Sequence, residues 1–155
     1  MKYVSHLVKK LFNEFGTRDP YYISELLGIE IKYYNFSENI KGIFTYDQNN
    51  KKNIIGLNKS LNQIMKKIVL SHELGHAILH PDSSRYFIEQ HTLFSMNKFE
   101  IEANQFAAEL LISNEELYKY IRGRCSIKCI AYELEVPVEL VRFKLERLKY
   151  NFFNK

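Results

Sequence analysis

Between Ile68 and Leu79 the sequence reads IVLSHELGHAIL, apolar on nearly every side of a helix, yet His72, Glu73 and His76 stand in the middle of it. A helix that is apolar all round is buried, so the rest of the chain must wrap other elements around this segment. Burying a carboxylate and two imidazoles without partners costs several kcal/mol, a large share of the roughly 5–15 kcal/mol that stabilises a domain. Whatever the fold, it must bring something to these three side chains.

His72 and His76 are four residues apart, so on a helix their rings share one face about one turn apart and can bind a single metal ion. Glu73 points along the adjacent face, toward a water held by that metal. The His-Glu-x-x-His pattern also arises by chance, and two histidines can be satisfied by hydrogen bonds in a core; the apolar surroundings favour the metal. Zinc at a catalytic site takes three protein ligands and keeps a position open to water. Candidates for the third ligand are His80, His91, Glu100 and Glu102. His80 lies eight residues after His72, which misses the ten-residue spacing of the three-histidine zinc peptidases. On a helix expected from Phe99 to Ile112, Glu100 shares a stripe with Ala103, Asn104, Ala107 and Leu111, whereas Glu102 shares one with Gln105, Phe106 and Glu109. The first stripe reads as buried and the second as solvated, which makes Glu100 the better ligand. Asn104, one turn on, can hydrogen-bond a ligand histidine from behind. The plain alternative for Glu100 is a helix N-terminal carboxylate favoured by the dipole.

Around this pair of helices the chain is short of other signals. Its 155 residues fit one domain, and 46% hydrophobic with 26% charged residues is an ordinary globular balance. A helix from Val4 to Phe15 stops at Gly16, and Asp19-Pro20 opens a short one that ends at Gly28. Ile29–Tyr34, Gly42–Tyr46 and Asn53–Leu57 read as three strands, the last two joined by a polar hairpin loop, which predicts a sheet that is antiparallel at least in part. A long helix spans about 60–79, ended by Pro81, with loop-like sequence to about Lys98. Ser113-Asn114-Glu115-Glu116 matches a capping box, and Ser126 to Leu148 reads as two helices separated near Val136-Pro137. The expectation is one domain over 1–155: helices and sheet in 1–58, the metal-site helices in 60–112, and C-terminal helices in 113–155 that form a possible partner-binding part.

The run HELGHAILH from His72 to His80, followed by FEIEANQFAAELLI from Phe99 to Ile112, resembles the ImmA/IrrE family of metallopeptidases. GTRDPYYISELLGIEI from Gly16 to Ile31 and the hairpin at Gly42 resemble that family's N-terminal part. The resemblance implies a zincin-like α+β fold with a small antiparallel sheet of about three strands packed on the HExxH helix. It also implies that the third zinc ligand is the first glutamate of a Glu-x-x-Ala-Asn run, which again selects Glu100. By analogy the substrate is a regulatory protein, such as a helix-turn-helix repressor of a phage or mobile element, or an antitoxin-like DNA-binding protein.

The expected chemistry is zinc-dependent amide hydrolysis with Glu73 as general base, returning its proton to the departing amine. His80, Tyr86 and His91 are candidate oxyanion stabilisers, and Gly42–Tyr46 is a candidate strand for an extended substrate to pair with. Two other readings compete. The spacing of Ile130, Ala131, Leu134, Val136, Val138, Val141 and Leu145 is like a helix-turn-helix, with Arg142, Lys144, Arg147 and Lys149 on its second helix, although the turn lacks the usual glycine. Alternatively, the chain is an inactive zinc-stabilised module that sequesters a partner. Net charge is only +4, from scattered basic residues, so no direct nucleic-acid partner is expected. There is no signal-peptide pattern and no membrane-spanning stretch, and Cys125 and Cys129 are spaced unlike a zinc knuckle; a cytoplasmic protein with free thiols is expected.

Overall fold

The computed structural model describes residues 2–81 and 98–153. Tyr86, His91 and the expected loop up to Lys98 lie outside the described residues. Elements follow in the order α1 (Lys2–Phe15), α2 (Pro20–Leu26), β1 (Glu30–Tyr34), β2 (Gly42–Asp47), β3 (Lys52–Asn58), α3 (Gln63–Leu79), α4 (Lys98–Leu111), α5 (Asn114–Arg122), α6 (Ile127–Glu133) and α7 (Val138–Phe153). The class is α+β, as expected.

Local chemistry sets the boundaries. Gly16 takes φ +70° where α1 stops, a left-handed conformation that glycine adopts without a steric penalty. Asp19 caps α2 by accepting from the Tyr21 amide at 2.8 Å, and Ser113 with Glu116 forms the reciprocal capping box of α5. Helix α3 starts three residues later than the sequence pattern indicates. Ser60 is engaged instead by Asn58, whose Oδ1 accepts from both its amide and its hydroxyl, and Asn62 becomes the cap by accepting from the Met65 amide.

The sheet has three strands in the order β1-β3-β2. The β2–β3 hairpin is antiparallel with Phe44 opposite Ile55, but β1 runs parallel to β3, so the sheet is mixed. The chain therefore crosses from one edge of the sheet to the other between β1 and β2. Buried Asn58 secures that crossing, its Nδ2 donating to the carbonyls of Phe36, Ser37 and Ile40. Side chains at the end of the hairpin look neutral in sequence, which is why the crossover was not legible there.

Two apolar clusters meet at α3 and α4. One joins α1, α2 and the sheet to Val69, Leu70, Leu74, Phe106 and Leu110; the other joins the C-terminal helices to Ile68, Ala107 and Ala108. Helix α4 is thus covered on more than one side, and the stripe expected to be solvated is not: Phe106 is fully buried and Glu109 is only 6% exposed. Glu109 instead pairs with Arg147 and with Lys144, the latter at 2.8 Å. Two of the four basic residues of the helix-turn-helix reading are thereby turned into the protein, which argues against α7 gripping a phosphate backbone with them.

The seam between α3 and α4 is tight at Gly75. A Cβ there would lie 3.1 Å from the Ala103 Cα and the Phe106 Cβ and 3.2 Å from the Ala103 carbonyl oxygen. Backbone cannot give way as a flexible side chain can. Gly75→Ala is therefore expected to cost about 1–3 kcal/mol by overpacking, at about 2–4 °C of melting temperature per kcal/mol, read by thermal denaturation followed by circular dichroism.

Candidate metal centre

The buried polar residues of α3 meet the first turns of α4 at one point. His72 Nε2 and His76 Nε2 are 3.1 Å apart, and the Glu100 carboxylate reaches both, Oε2 at 3.1 Å from His72 and Oε1 at 3.2 Å from His76. All three side chains are buried, at 2%, 5% and 5% exposure. Among the described residues, this is the group of histidine, cysteine and carboxylate side chains whose donor atoms converge closely enough to hold a metal ion. Zinc bonds of ~2.0–2.2 Å at tetrahedral angles put neighbouring donors roughly 3.3–3.5 Å apart, so the observed spacing is close to what such an ion requires.

Helix geometry explains the convergence. His72 and His76 are neighbours on one face of α3 because they are one turn apart, and their rings meet edge to face at 4.8 Å. Glu100 lies in the first turn of α4, and Asn104 one turn later on the same face. The Nδ1–H of His72 donates to Asn104 Oδ1 at 3.0 Å, which leaves the lone pair of Nε2 directed at the centre. Gly75 and Ala103 allow the two helix backbones to approach closely enough for this.

Glu73 is 2% exposed, and its Oε2 has no hydrogen-bond partner among the described residues. The start of β2 backs the same carboxylate: a Cβ on Gly42 would sit 3.1 Å from Glu73 Oε1 and 2.5 Å from Val69 Cγ1. Gly42 thus leaves room that any side chain would fill. Two imidazoles, a shared carboxylate and a second buried carboxylate together lack positive charge, and a divalent cation fits that donor set.

His80 caps α3 and does not join the three donors. Its Nε2 is 3.2 Å from Glu102 Oε2, and its ring packs edge-on against Phe99 at 4.6 Å. Burial pushes its pKa below the ordinary imidazole value, reinforced by His76 and Lys98 and opposed chiefly by Glu102. Glu102 is consequently occupied by His80, while Glu100 takes the inward position. That pairing was not legible in sequence, because His80, just past the end of α3, and Glu102 in α4 are brought together only by the packing of the two helices. The role of Gly42 was equally hidden, since a glycine at a strand start is also a common turn residue.

Comparison with known proteins follows the same lines. The model of the IrrE N-terminal-like domain, a peptidase family, matches residues 24–146. The chain is 38% identical over 143 residues to Uncharacterized immunity region protein 2 of Bacillus phage phi105, covering 92% of this chain and 89% of that protein. It is 26% identical over 150 residues to metallopeptidase ImmA of Bacillus subtilis (strain 168), covering 95% of this chain and 86% of that one. Among solved structures, a Mycobacterium tuberculosis transcriptional regulator superposes on 94% of this chain with a TM-score of 0.64 at 18% identity, a likeness of fold; the chain spans 46% of that regulator's length.

Truncating the residue behind His72 tests the arrangement without touching a donor atom. If a divalent metal is held there, Asn104→Ala is expected to fold but to bind it about 10–100-fold more weakly, measured by competition with a chromophoric chelator.

Proposed function

The chain belongs to the peptidase family of the IrrE N-terminal-like domain, and from that membership we propose that it is a zinc-dependent endopeptidase that cleaves a regulatory protein. The observation that carries the reading is the convergence of His72, His76 and Glu100 beside a buried carboxylate, Glu73, with an unpartnered oxygen. In this reading the two histidines and Glu100 hold the metal, and Asn104 fixes the His72 ring. Two nitrogens and an oxygen, with no thiolate among them, suit zinc and leave a position free for water and substrate. Zinc so held supplies Lewis acidity toward the scissile carbonyl and acidifies water.

Glu73 does the proton work. Its carboxylate takes a proton from the attacking water and delivers it to the departing amine, so no covalent intermediate with the protein is needed. Gly42 keeps space open beside that carboxylate. Strand β2 pairs with β3 along one side, and its other side is the one an extended substrate would join, which places backbone hydrogen bonds close to Glu73. His80, held by Glu102, is the described candidate for steadying the oxyanion; Tyr86 and His91 are the others the sequence offers.

The substrate proposed is a DNA-binding repressor or antitoxin-like regulator of a phage or mobile element. The immunity-region protein of phage phi105 and ImmA, both matched over most of their length, support that class. We read 1–155 as one peptidase domain, with α5–α7 as the part that engages the partner, acting in the cytoplasm without membrane or direct nucleic-acid contact. Among the described residues, no helix is long and apolar enough to cross a membrane.

Incubating the zinc-loaded chain with a helix-turn-helix repressor encoded beside it should give a single cut. Glu73→Gln should retain zinc and lose about 10²–10⁴-fold in cleavage rate. Glu100→Ala, with Glu102 intact, should lose the zinc itself. Wild-type cleavage by the Glu73 variant would remove the general base, and a repressor that is bound but never cut would leave a sequestering module.

A further inference from the structure

Glu109 lies about two and a half turns beyond Glu100, on the opposite face of α4. There α1, the α1–α2 connection, the start of α5 and α7 enclose a cavity of about 380 Å³. That volume falls within the ~300–1,000 Å³ of small-molecule pockets.

Its charges do not balance. Lys9, Arg18 and Lys144 line it together with Glu109 and Glu115, and Arg147 joins them through its ion pair with Glu109. Four cations therefore stand against two carboxylates. Arg147 is fully engaged, since beyond Glu109 it donates to Ser5 Oγ at 2.7 Å and Asn114 Oδ1 at 3.2 Å. Arg18 meets a carbonyl and a ring instead of a carboxylate: its Nη1 donates to the Glu109 backbone oxygen at 2.8 Å, and its guanidinium lies 5.0 Å from the Phe12 centroid. Lys144 is 1% exposed and shares the Glu109 carboxylate with Arg147.

A buried cation short of counter-charge is costly. Lys144 registers that cost: burial, with Arg147 and Arg18 adding to it, brings its pKa down to about 8 although Glu109 opposes the shift.

We propose that this cavity binds a small multiply charged anion, bearing phosphate or carboxylate groups, through Lys9, Arg18 and Lys144. Its occupant would tie α1 and the α1–α2 connection to α7. The proposal stands apart from the peptidase reading, because none of its residues belongs to the metal centre.

The test is titration calorimetry on the full chain with inorganic phosphate, and separately with succinate, at constant ionic strength set by chloride. One saturable site is expected for at least one of the two, weakened tenfold or more in Arg18→Gln and in Lys9→Gln and unchanged in His72→Ala. Lys9 is exposed, so its variant carries the test even if Arg18→Gln lowers stability. Tighter binding of phosphate assigns a phosphoryl ligand, and tighter binding of succinate a carboxylate one; either supports the site. Unsaturable heats with both anions, wild-type affinity in the Lys9 and Arg18 variants, or loss of binding in His72→Ala would overturn it, the last by placing the anion at the metal centre.

Discussion

Everything near the middle of this molecule follows from four ionisable side chains held out of water in the seam between two helices. His72, Glu73, His76 and Glu100 are each no more than 5% exposed, and the donor atoms of His72, His76 and Glu100 face one another at 3.1–3.2 Å. Isolated in an apolar interior, such groups cost several kcal/mol each, comparable with the whole margin of a stable domain. A divalent cation offsets that cost only if the donors are already in place, so the two helices must be held in register. Gly75 against Ala103 sets how close they come, and Asn104 sets how the His72 ring turns. The mixed sheet then covers the other side, and Gly42 leaves space where a side chain would displace Glu73.

Helix α4 carries charge burial at both of its ends and on opposite faces. Glu100 turns toward α3, while the Glu109 side chain turns toward Lys144 and Arg147 on α7 and its backbone carbonyl accepts from Arg18. The two sites balance charge differently. At the first, carboxylates outnumber fixed cations and a metal fits; at the second, cations outnumber carboxylates and an anion fits. The apolar residues between them, Ala103, Phe106, Ala107 and Leu110, are buried and pack the helix between the two clusters.

How far the sequence discloses this depends on whether a signal is local. Helix α3 with its His-Glu-x-x-His run, the caps at Asp19 and Ser113, and the inward stripe of Glu100, Ala103, Asn104 and Ala107 are all periodic or short-range features, and each was legible. Their counterparts depend on partners distant in the chain. The parallel pairing of β1 with β3 rests on Asn58 gathering carbonyls from a crossing loop. The burial of Glu109 depends on cations some 35 residues onward, and His80 finds Glu102 across a helix junction. A polar residue on a helix reads as solvated until something charged is brought to it, and periodicity carries no information on that.

The central claim is that two imidazoles and one carboxylate, and no thiolate, hold one zinc ion with a position left open. X-ray absorption at the zinc edge, on the chain loaded with one equivalent, tests it most directly. The account predicts a first shell of nitrogen and oxygen only, at about 2.0–2.2 Å, with outer-shell scattering from two imidazoles. Sulfur scattering at about 2.3 Å would contradict it, moving the ion away from the α3–α4 seam to Cys125 and Cys129.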